Sequence, residues 1–385
     1  MRLHYVALHE PSGYAVAALR CMRALSDAGV GVRWLPLVPG SGWGDGLGYR
    51  PAGAGEIADP ALADLLAGPA ACDAVVAHLV PEYWPLLRER YPGTPLVGHT
   101  VWETDRLPAH WPPLLDTADL IVVPTAWNRE VMERAGVRAP VRVVPHAAAV
   151  PRPVTGEAWS AIPHETFVVY TVAPWTARKA LERTVLAYQA AFSGRDDTLL
   201  VIKTSARDLT APHPESASPV APGTTAWTLA RLLGRFPRPA PVSLVTAELP
   251  ETDIDALHAR GDCYLSLCRA EGWGIPAFDA AAWGNPIVIT GYGGQCAYLH
   301  ADGAWLVDHD LVAVDDPAGG RSYTGDQRWA EPSIERGAAL LREVEAAPAE
   351  ARARAARSRD RVLREFAPPV VAEAFLGALS ALPAR

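Results

Sequence analysis

The sequence has 385 residues, which is enough for two domains with separate hydrophobic cores, and 49% of its residues are apolar. A formal net charge of −8 argues against nucleic acid or an anionic membrane as the main partner, because such partners require a basic surface. No run approaches the roughly 18 apolar residues of a membrane span, so we expect no integral membrane segment.

The start of the sequence leads directly into an apolar stretch at residues 3–8 without a signal-peptide pattern, which predicts a cytoplasmic protein. The five cysteines are odd in number and show no Cys-x-x-Cys spacing. We therefore expect free thiols in the core and no metal site. The composition is rich in Ala, Arg and Pro and poor in Lys, as is typical of bacterial proteins from GC-rich genomes.

In the first half of the chain, short apolar strands alternate with amphipathic helices. The pattern predicts a helix over residues 14–27 and strands over residues 3–8, 31–38, 74–79, 96–100, 120–123 and 141–144. This alternation predicts a parallel sheet wrapped by helices, which makes the first half an α/β domain.

A stretch rich in Pro, Ala and Thr at residues 145–163 predicts a linker, after which the same pattern restarts. It predicts a helix over 178–192 and strands over 167–172, 198–203, 242–246, 263–267, 287–290 and 304–307. Residues 333–384 are predicted to be mostly helical, and the Arg-Ala run at 349–364 is interpreted as a solvated helix face. Two segments, 40–55 and 206–225, are predicted to be mobile loops or lids.

The most informative stretch is Glu-Gly-Trp-Gly-Ile-Pro-Ala-Phe-Asp at residues 271–279, between an apolar strand and an Ala-rich helix. Pro276 suits the first helical position and Gly284 the residue just past the helix end. The helix start offers free N–H groups to an anion, with Glu271 in the loop before it and Asp279 in or just beyond the first turn. These features suit a ligand with hydroxyls and a phosphate, although the stretch alone would equally fit a metal.

Two cations, Arg178 and Lys179, follow the first strand of the second half, at the predicted start of a helix. Cations are disfavoured at that end of the helix dipole, so an anion such as phosphate is expected to hold them there. A pair of exposed surface cations is the alternative. Lys203, at the end of the next strand, is a weaker candidate of the same kind.

Two loops of the first half are further candidates. The loop at residues 9–15 contains Gly13 and is either a plain turn or a phosphate contact. It lacks Gly-x-Gly-x-x-Gly, which disfavours a dinucleotide site. His99 ends a strand and is followed by Glu103 and Asp105, so it is either a structural group or part of a ligand site.

The stretch 271–279 resembles the Glu-x7-Glu motif of retaining glycosyltransferases with the GT-B fold, the large family often called group one. Segments that resemble the same family occur in the expected order at 104–108, 123–128, 143–146, 178–179 and 329–332. The resemblance implies two Rossmann-like parallel-sheet domains facing across a cleft. The acceptor-side domain would span 1–150 and the nucleotide-sugar domain 151–364, with a final helix at 365–385 packing back on the first domain.

The resemblance also implies the activity, a retaining hexosyltransferase that moves a sugar from a nucleotide diphosphate sugar to a hydroxyl of a small acceptor. No metal or other cofactor is expected, and front-face substitution is favoured. The implied roles are Arg178 and Lys179 on the donor diphosphate, Glu271 on the sugar hydroxyls, Asp279 on the ribose, Gly274 and Ile275 as N–H donors, Gly13 near the diphosphate, and His99 beside the reacting sugar. Two positions depart from the family pattern, since Asp279 replaces a usual Glu and Ala147 a usual Gly.

Several alternatives stay open. A nucleotide-sugar epimerase or a phosphorylase could use the same double fold, and a non-catalytic nucleotide-sugar-binding protein could use the same contacts. A dinucleotide-dependent oxidoreductase is disfavoured by the missing glycine motif. Natural-product glycosylation, for example of an aminoglycoside, and cell-envelope glycosylation are the suggested settings.

Overall fold

A computed structural model gives the fold and describes residues 1–44, 46–154, 158–210 and 218–382. Parts of the predicted linker and of both predicted mobile loops lie outside these residues. The chain divides into two compact units, which we call unit 1 (Met1–Trp102, Arg106–Ala148 and Arg364–Arg385) and unit 2 (Glu103–Asp105 and Ala149–Leu363).

The strands are β1 (Arg2–Leu8), β2 (Gly31–Pro39), β3 (Tyr49–Pro51), β4 (Ala74–His78), β5 (Leu96–His99), β6 (Leu120–Val123), β7 (Val141–Val143), β8 (Phe167–Val172), β9 (Thr198–Lys203), β10 (Val242–Val245), β11 (Cys263–Ser266), β12 (Ile287–Thr290), β13 (Trp305–Val307), β14 (His309–Ala313) and β15 (Arg328–Pro332). The α-helices are α1 (Gly13–Asp27), α2 (Ala63–Leu66), α3 (Trp84–Arg90), α4 (Trp111–Leu115), α5 (Ala126–Arg134), α6 (Leu181–Phe192), α7 (Thr225–Leu233), α8 (Glu251–Arg260), α9 (Ile275–Trp283), α10 (Ile334–Ala346), α11 (Pro348–Glu365) and α12 (Pro368–Leu379).

Unit 1 is built on a seven-stranded sheet in the order β3-β2-β1-β4-β5-β6-β7, in which only the pairing of β3 with β2 is antiparallel. Every residue of β4, β5 and β6 is buried, as expected for parallel strands covered on both faces. Helix α12 packs on α1 and adds Val371 and Phe375 to the core of this unit.

Unit 2 is built on a six-stranded parallel sheet in the order β10-β9-β8-β11-β12-β13, with an antiparallel hairpin of β14 and β15 beside it. Numbered within the unit, this is the 3-2-1-4-5-6 order of doubly wound nucleotide-binding sheets. The predicted α/β class with two parallel sheets is therefore confirmed. The hairpin was not predicted, because β14 is largely exposed and neither of its strands is a continuous apolar run.

The basic run on α11 lies largely on a solvated helix face, as predicted, and several of its arginines also bond to neighbouring turns. Arg352 bonds Asp262 at 2.8 Å, Arg354 donates to the carbonyls of Ala301 and Ala304, and Arg361 pairs with Asp302 at 3.1 Å. These bonds fasten α11 to the turns that precede β11 and β13. All five cysteines are free. Among the described residues no helix is both long and apolar enough to cross a membrane.

Candidate functional site

The site in unit 2 lies where two loops leave adjacent strands of the sheet. Strands β8 and β11 are neighbours at the point where the strand order reverses, and the loops after their carboxyl ends carry Arg178 with Lys179 and Glu271. Ligands of open α/β sheets bind at this reversal point, outside the carboxyl ends of the strands. The topology therefore brings three of the predicted site residues to the position where such sheets bind ligands.

Glu271 is bonded to both cations. Lys179 Nζ lies 2.5 Å from Glu271 Oε1, and Arg178 Nη1 lies 3.2 Å from Oε2. Burial acts to raise the pKa of Glu271, but the charges of Lys179 and Arg178 outweigh it, so that the pKa is below its ordinary value. The side chain is consequently a carboxylate at neutral pH, with each oxygen held by a positive charge.

The two cations lie in a tight turn before the helix, so the predicted helix start at Arg178 was wrong. Helix α6 begins at Leu181, and Ala180 before it has a left-handed backbone with φ of +47°. The turn is closed by bonds from Ala180 N to Thr176 O (3.0 Å) and from Lys179 N to Thr176 Oγ1 (3.2 Å). Because a non-glycine residue rarely adopts this φ, the apolar pattern could not locate the break. The helix dipole therefore does not explain the cations, whereas Glu271 does.

Arg269 links the loop that follows β8 to the loop that follows β11. Its Nη1 donates to Ala177 O at 2.6 Å, and its backbone N–H donates to Arg178 O at 2.8 Å. Glu331 on β15 accepts from Arg269 Nε at 2.8 Å and pairs with Arg183 of α6 at 2.7 Å. The hairpin thus fixes both loops, and sequence reasoning missed this role although it singled out residues 329–332.

Helix α9 begins and ends at glycines, close to the prediction. Gly274 precedes it with φ of +89° and Gly284 follows it with φ of +78°. Among the residues that the structure describes, no side chain caps its first turn. The Tyr298 phenol lies 3.0 Å from Trp273 O and 2.9 Å from Gly274 O and donates to these carbonyls. The uncapped N–H groups of the first turn are therefore held in place by Tyr298, a residue that the sequence did not indicate.

Ile275 is the first residue of α9 and is buried, whereas Asp279 is its fifth residue and is half-buried. Asp279 thus lies just beyond the first turn of α9, which is one of the two positions that the sequence predicted for it. Its negative charge acts on the Tyr298 phenol, whose pKa is raised first by burial and then by neighbouring charges that include Glu271 and Asp279.

A glycine turn after β12 supports the Glu271 loop. Gly294 N donates to Glu271 O at 2.7 Å, and a side chain at Gly294 would meet Gly272 O at 1.9 Å. Gly293 has φ of +85°. The spacing Gly-x-Gly-Gly after the apolar run 287–290 is a signal that could have revealed this turn, because small residues at a strand end permit a close backbone approach.

Glu103 also belongs to this site. Its Oε1 lies 3.5 Å from Arg178 Nη2, and Tyr323 donates to its Oε2 at 2.9 Å. The sequence grouped Glu103 with His99, but the chain segment Glu103–Asp105 belongs to unit 2 by its contacts. No sequence signal links Glu103 to Arg178 or to Tyr323, because these residues are far apart along the chain.

Gly13 and His99 belong to unit 1, whereas the other predicted residues belong to unit 2. Gly13 is the exposed first residue of α1, and the next residue, Tyr14, donates to Thr100 Oγ1 at 3.0 Å, one residue beyond His99. The loop at Gly13 and the end of β5 are therefore neighbours at the carboxyl edge of the sheet.

His99 is a buried member of a histidine cluster. Its ring stacks on that of His78 with centroids 3.8 Å apart, and His146 lies 6.0 Å from His78. Tyr5 Oη lies 2.7 Å from His78 Nδ1 and 3.3 Å from His99 Nδ1. Burial, followed by the neighbouring histidine charges, lowers the pKa of His78 and of His99, and burial lowers that of His146 to about 3. The cluster is therefore neutral at physiological pH.

The positions of the His, Cys, Asp and Glu side chains decide whether the protein has a candidate metal site. Across residues 1–44, 46–154, 158–210 and 218–382, no group of three or more His, Cys, Asp or Glu side chains is placed to hold a metal ion. What the unit 2 site offers instead is two cations, a carboxylate and an uncapped helix start.

Comparisons with known proteins find similarity at the level of structure. No family model and no curated protein matches the sequence. The structure is similar to HepE of Anabaena in complex with UDP and glucose, with a TM-score of 0.66, 14% identity, and 99% of this chain and 100% of that chain covered. It is similar to sucrose-phosphate synthase from Thermosynechococcus elongatus, with a TM-score of 0.66, 16% identity, and 99% of this chain and 98% of that chain covered. It is also similar to trehalose-6-phosphate synthase OtsA, with a TM-score of 0.64, 16% identity, and 100% of both chains covered. At these identities the likeness shows the fold, and the predicted GT-B fold is confirmed.

Proposed function

We propose that the protein is a retaining glycosyltransferase that moves a sugar from a nucleotide diphosphate sugar to a hydroxyl of a small acceptor. The observation that carries the proposal is the cluster of Arg178, Lys179 and Glu271 at the strand-order reversal of unit 2. A donor of this kind has an anionic diphosphate beside a polyhydroxylated ring. The cluster presents two cations for the former and a carboxylate for the latter.

The donor nucleotide is proposed to contain uridine. HepE was determined with UDP-glucose, and an Escherichia coli trehalose-6-phosphate structure that is 16% identical to this chain was determined with UDP-2-fluoro glucose. We assign the diphosphate to Arg178, Lys179 and the backbone N–H groups of Gly274 and Ile275. The transferred sugar is assigned to Glu271.

The remaining roles rest on the resemblance to the family. Asp279 is proposed to accept from the ribose hydroxyls, although its side chain is one methylene shorter than the usual Glu. Gly13 is proposed to approach the diphosphate, and His99 to lie beside the reacting sugar. A neutral, buried His99 suits a hydrogen-bonding role better than a charged one.

The reaction breaks the bond between the anomeric carbon and the β-phosphate oxygen and forms a bond from that carbon to the acceptor oxygen. Negative charge grows on the departing diphosphate, where Arg178, Lys179 and the α9 start stabilise it without reorganisation. The departing phosphate takes the acceptor proton, so that acceptor and leaving group share one face of the sugar. No metal is required by this scheme, because the two cations supply the positive charge.

The state of Glu271 supports front-face substitution over a covalent glycosyl-enzyme. A nucleophilic carboxylate must direct an unshared oxygen at the anomeric carbon. Both Glu271 oxygens are instead paired with cations, at 2.5 and 3.2 Å, which weakens their nucleophilicity. Hydrogen bonding to sugar hydroxyls remains open to these oxygens, because each carries further lone pairs.

The first experiment identifies the donor. UDP-, GDP-, dTDP- and ADP-sugars are compared for their effect on the thermal unfolding of the protein, and we expect UDP-sugars to raise the midpoint most. The best donor is then incubated with small hydroxylated acceptors, including aminoglycosides, and the anomeric configuration of the product is read by NMR. An isomer formed from the donor alone would favour an epimerase, and binding without any product would favour a binding protein.

Lys179→Ala and Glu271→Ala are expected to reduce kcat/KM for transfer by about 100-fold or more, since each removes a charged group from the reacting centre. Circular dichroism should show an intact fold. Lys203→Ala is the matched control, because Lys203 lies at the carboxyl end of the neighbouring strand β9 but donates to Thr204 O at 3.0 Å rather than to Glu271. Near-normal transfer by either of the first two variants would refute the proposal.

Donor contact with Lys179 can be observed without measuring activity. The chain contains two lysines, Lys179 and Lys203, so protein made with [13Cε]-lysine gives two side-chain resonances. We expect UDP to shift the resonance that is missing in Lys179→Ala and to leave the other nearly unchanged. A shift confined to Lys203 would place the nucleotide elsewhere.

A further inference from the structure

Arg178 is already engaged within the protein before any ligand arrives. Its Nη1 donates to Ala270 O at 2.8 Å and pairs with Glu271 Oε2 at 3.2 Å. Its Nη2 faces Glu103 Oε1 at 3.5 Å. Each terminal nitrogen of this guanidinium thus has an acceptor beside it, and a phosphate oxygen that binds here competes with the two carboxylates.

Glu103 is the acceptor that can be replaced. The Glu271 loop is held by the bond from Gly294 N to Glu271 O and by Tyr298, whereas the contact of Glu103 with Arg178 is the longest of the three. Glu103 also has a second partner, because its Oε2 accepts from Tyr323 Oη at 2.9 Å. The carboxylate can therefore leave Arg178 and keep that hydrogen bond.

The charge around Arg178 favours the replacement of Glu103 by a phosphate. Burial acts to lower the pKa of the Arg178 guanidinium, but Glu103, Tyr323 and Glu271 outweigh it, so that the pKa is raised. The two cations of the site are thus already neutralised by carboxylates. A diphosphate beside an unmoved Glu103 would suffer like-charge repulsion in a partly buried site, where such repulsion is strong.

We propose that Glu103 is a built-in competitor for the donor's terminal phosphate, and that it makes the site selective for nucleotides with two phosphates. This inference rests on the proposed function, in which the β-phosphate binds at Arg178. A nucleoside monophosphate has no group to displace Glu103 and binds without contact to Arg178. Glu103 thereby sets the affinity for the diphosphate alone.

The test measures UDP and UMP binding by calorimetry. Glu103→Gln keeps the shape of the side chain and removes its charge, and we expect UDP to bind about tenfold more tightly while UMP affinity stays unchanged. Asp105→Asn is the matched control, because Asp105 lies in the same segment and its carboxylate accepts from Arg328 N at 2.6 Å. UDP affinity should be unchanged in this control.

A second variant tests the same contact in the opposite direction. Tyr323→Phe removes the phenol hydroxyl that donates to Glu103. The Glu103 carboxylate can then pair more closely with Arg178, so we expect UDP to bind several-fold more weakly. The double variant Glu103→Gln/Tyr323→Phe should bind UDP as Glu103→Gln does, because the phenol acts through Glu103.

The outcomes separate this inference from the proposed function. If the wild type binds UDP but Glu103→Gln binds it no more tightly, or if Asp105→Asn tightens it equally, the competition is refuted while the proposed function stands. If Glu103→Gln tightens UMP as much as UDP, the selectivity is refuted. If neither the wild type nor Glu103→Gln binds any nucleotide of the panel, both proposals fail.

Discussion

Lys179 differs from the other basic residues of this protein, because the chain contains two lysines and thirty-three arginines. An ammonium is a compact point charge, whereas a guanidinium is a planar fork with donors in fixed directions. Lys179 is only 14% exposed, and its Nζ lies 2.5 Å from Glu271 Oε1. A small cation fits this enclosed position, which leaves its remaining donors free for a ligand.

Lys179→Arg is therefore expected to preserve the fold and the charge but to lower kcat for transfer by about tenfold or more, because the larger fork displaces Glu271. Steady-state kinetics with the identified donor provide the measurement. Lys203→Arg is the control and should retain transfer. Full activity of Lys179→Arg would show that the charge suffices and that the shape of the side chain does not matter.

Helix α9 is flanked at both ends by a glycine in the left-handed region, but only its first turn lies beside the candidate site. Gly274 precedes the first turn beside Glu271, whereas Gly284 follows the last turn at the far end of the helix. A side chain at Gly274 would meet Tyr298 Oη at 3.4 Å, and one at Gly284 would meet Arg359 Cδ at 3.1 Å. The backbone strain of a substitution is similar at both ends, but its location differs.

Gly274→Ala and Gly284→Ala are each expected to cost about 1–2 kcal/mol of stability, the penalty for an L-residue in this region. Only Gly274→Ala should also weaken UDP binding, because it disturbs the N–H groups of the first turn. Chemical denaturation and calorimetry measure the two effects. Equal loss of UDP affinity in both variants would mean that the helix acts through its stability rather than through its first turn.

The elements show what the sequence could predict. Strands that are buried on both faces, such as β4 and β11, read as continuous apolar runs, and α9 is marked by Pro276 and Gly284. Glu271 and Lys179 were found because each lies in the loop that leaves a strand of one sheet. Sequence-local patterns carry that information directly.

Contacts between distant segments could not be predicted in this way. The start of α6 depends on the left-handed Ala180, whose conformation is imposed by the turn around it. The bond from Tyr298 to Gly274 and the pair of Glu103 with Arg178 join residues that no spacing relates. Such contacts are products of the tertiary fold, so they emerge only once the sheet order is known.

On the scale of the whole molecule, the cluster of three buried histidines lies in unit 1, whereas unit 2 buries His258 beside Tyr170. Unit 1 contains His78, His99 and His146, all buried and with lowered pKa values. Unit 2 contains Glu271, whose pKa is lowered below that of an ordinary carboxyl group. Groups with a depressed pKa stabilise the fold above their unfolded pKa, and that stability is lost as the pH falls toward the folded value.

Unit 1 is therefore expected to lose stability first on acidification. The unfolded histidines gain protons below about pH 6.5, whereas the folded ones do not, so each costs up to about 1.4 kcal/mol per pH unit, and for His146 this continues to about pH 3. The contribution of Glu271 is lost only below about pH 4.3, the ordinary carboxyl range.

Hydrogen exchange followed by mass spectrometry at pH 7 and pH 5.5, corrected for intrinsic rates, distinguishes the units. Peptides from β4, β5 and β6 should lose protection, and peptides from β8, β11 and β12 should keep it. His146→Gln, which removes one titrating group, should reduce the loss in unit 1. Equal loss in both units would contradict the assignment of acid sensitivity to the histidine cluster.

The outer strands of the unit 1 sheet affect how readily the protein aggregates at high concentration. Both outermost strands, β3 and β7, are three residues long, and prolines lie within or beside them at Pro51, Pro140 and Pro145. Arg50 adds a charge to β3 that is paired with Glu56. Short, charged and proline-bounded edges offer few free N–H groups to a passing strand, so this sheet resists extension into intermolecular β-aggregates.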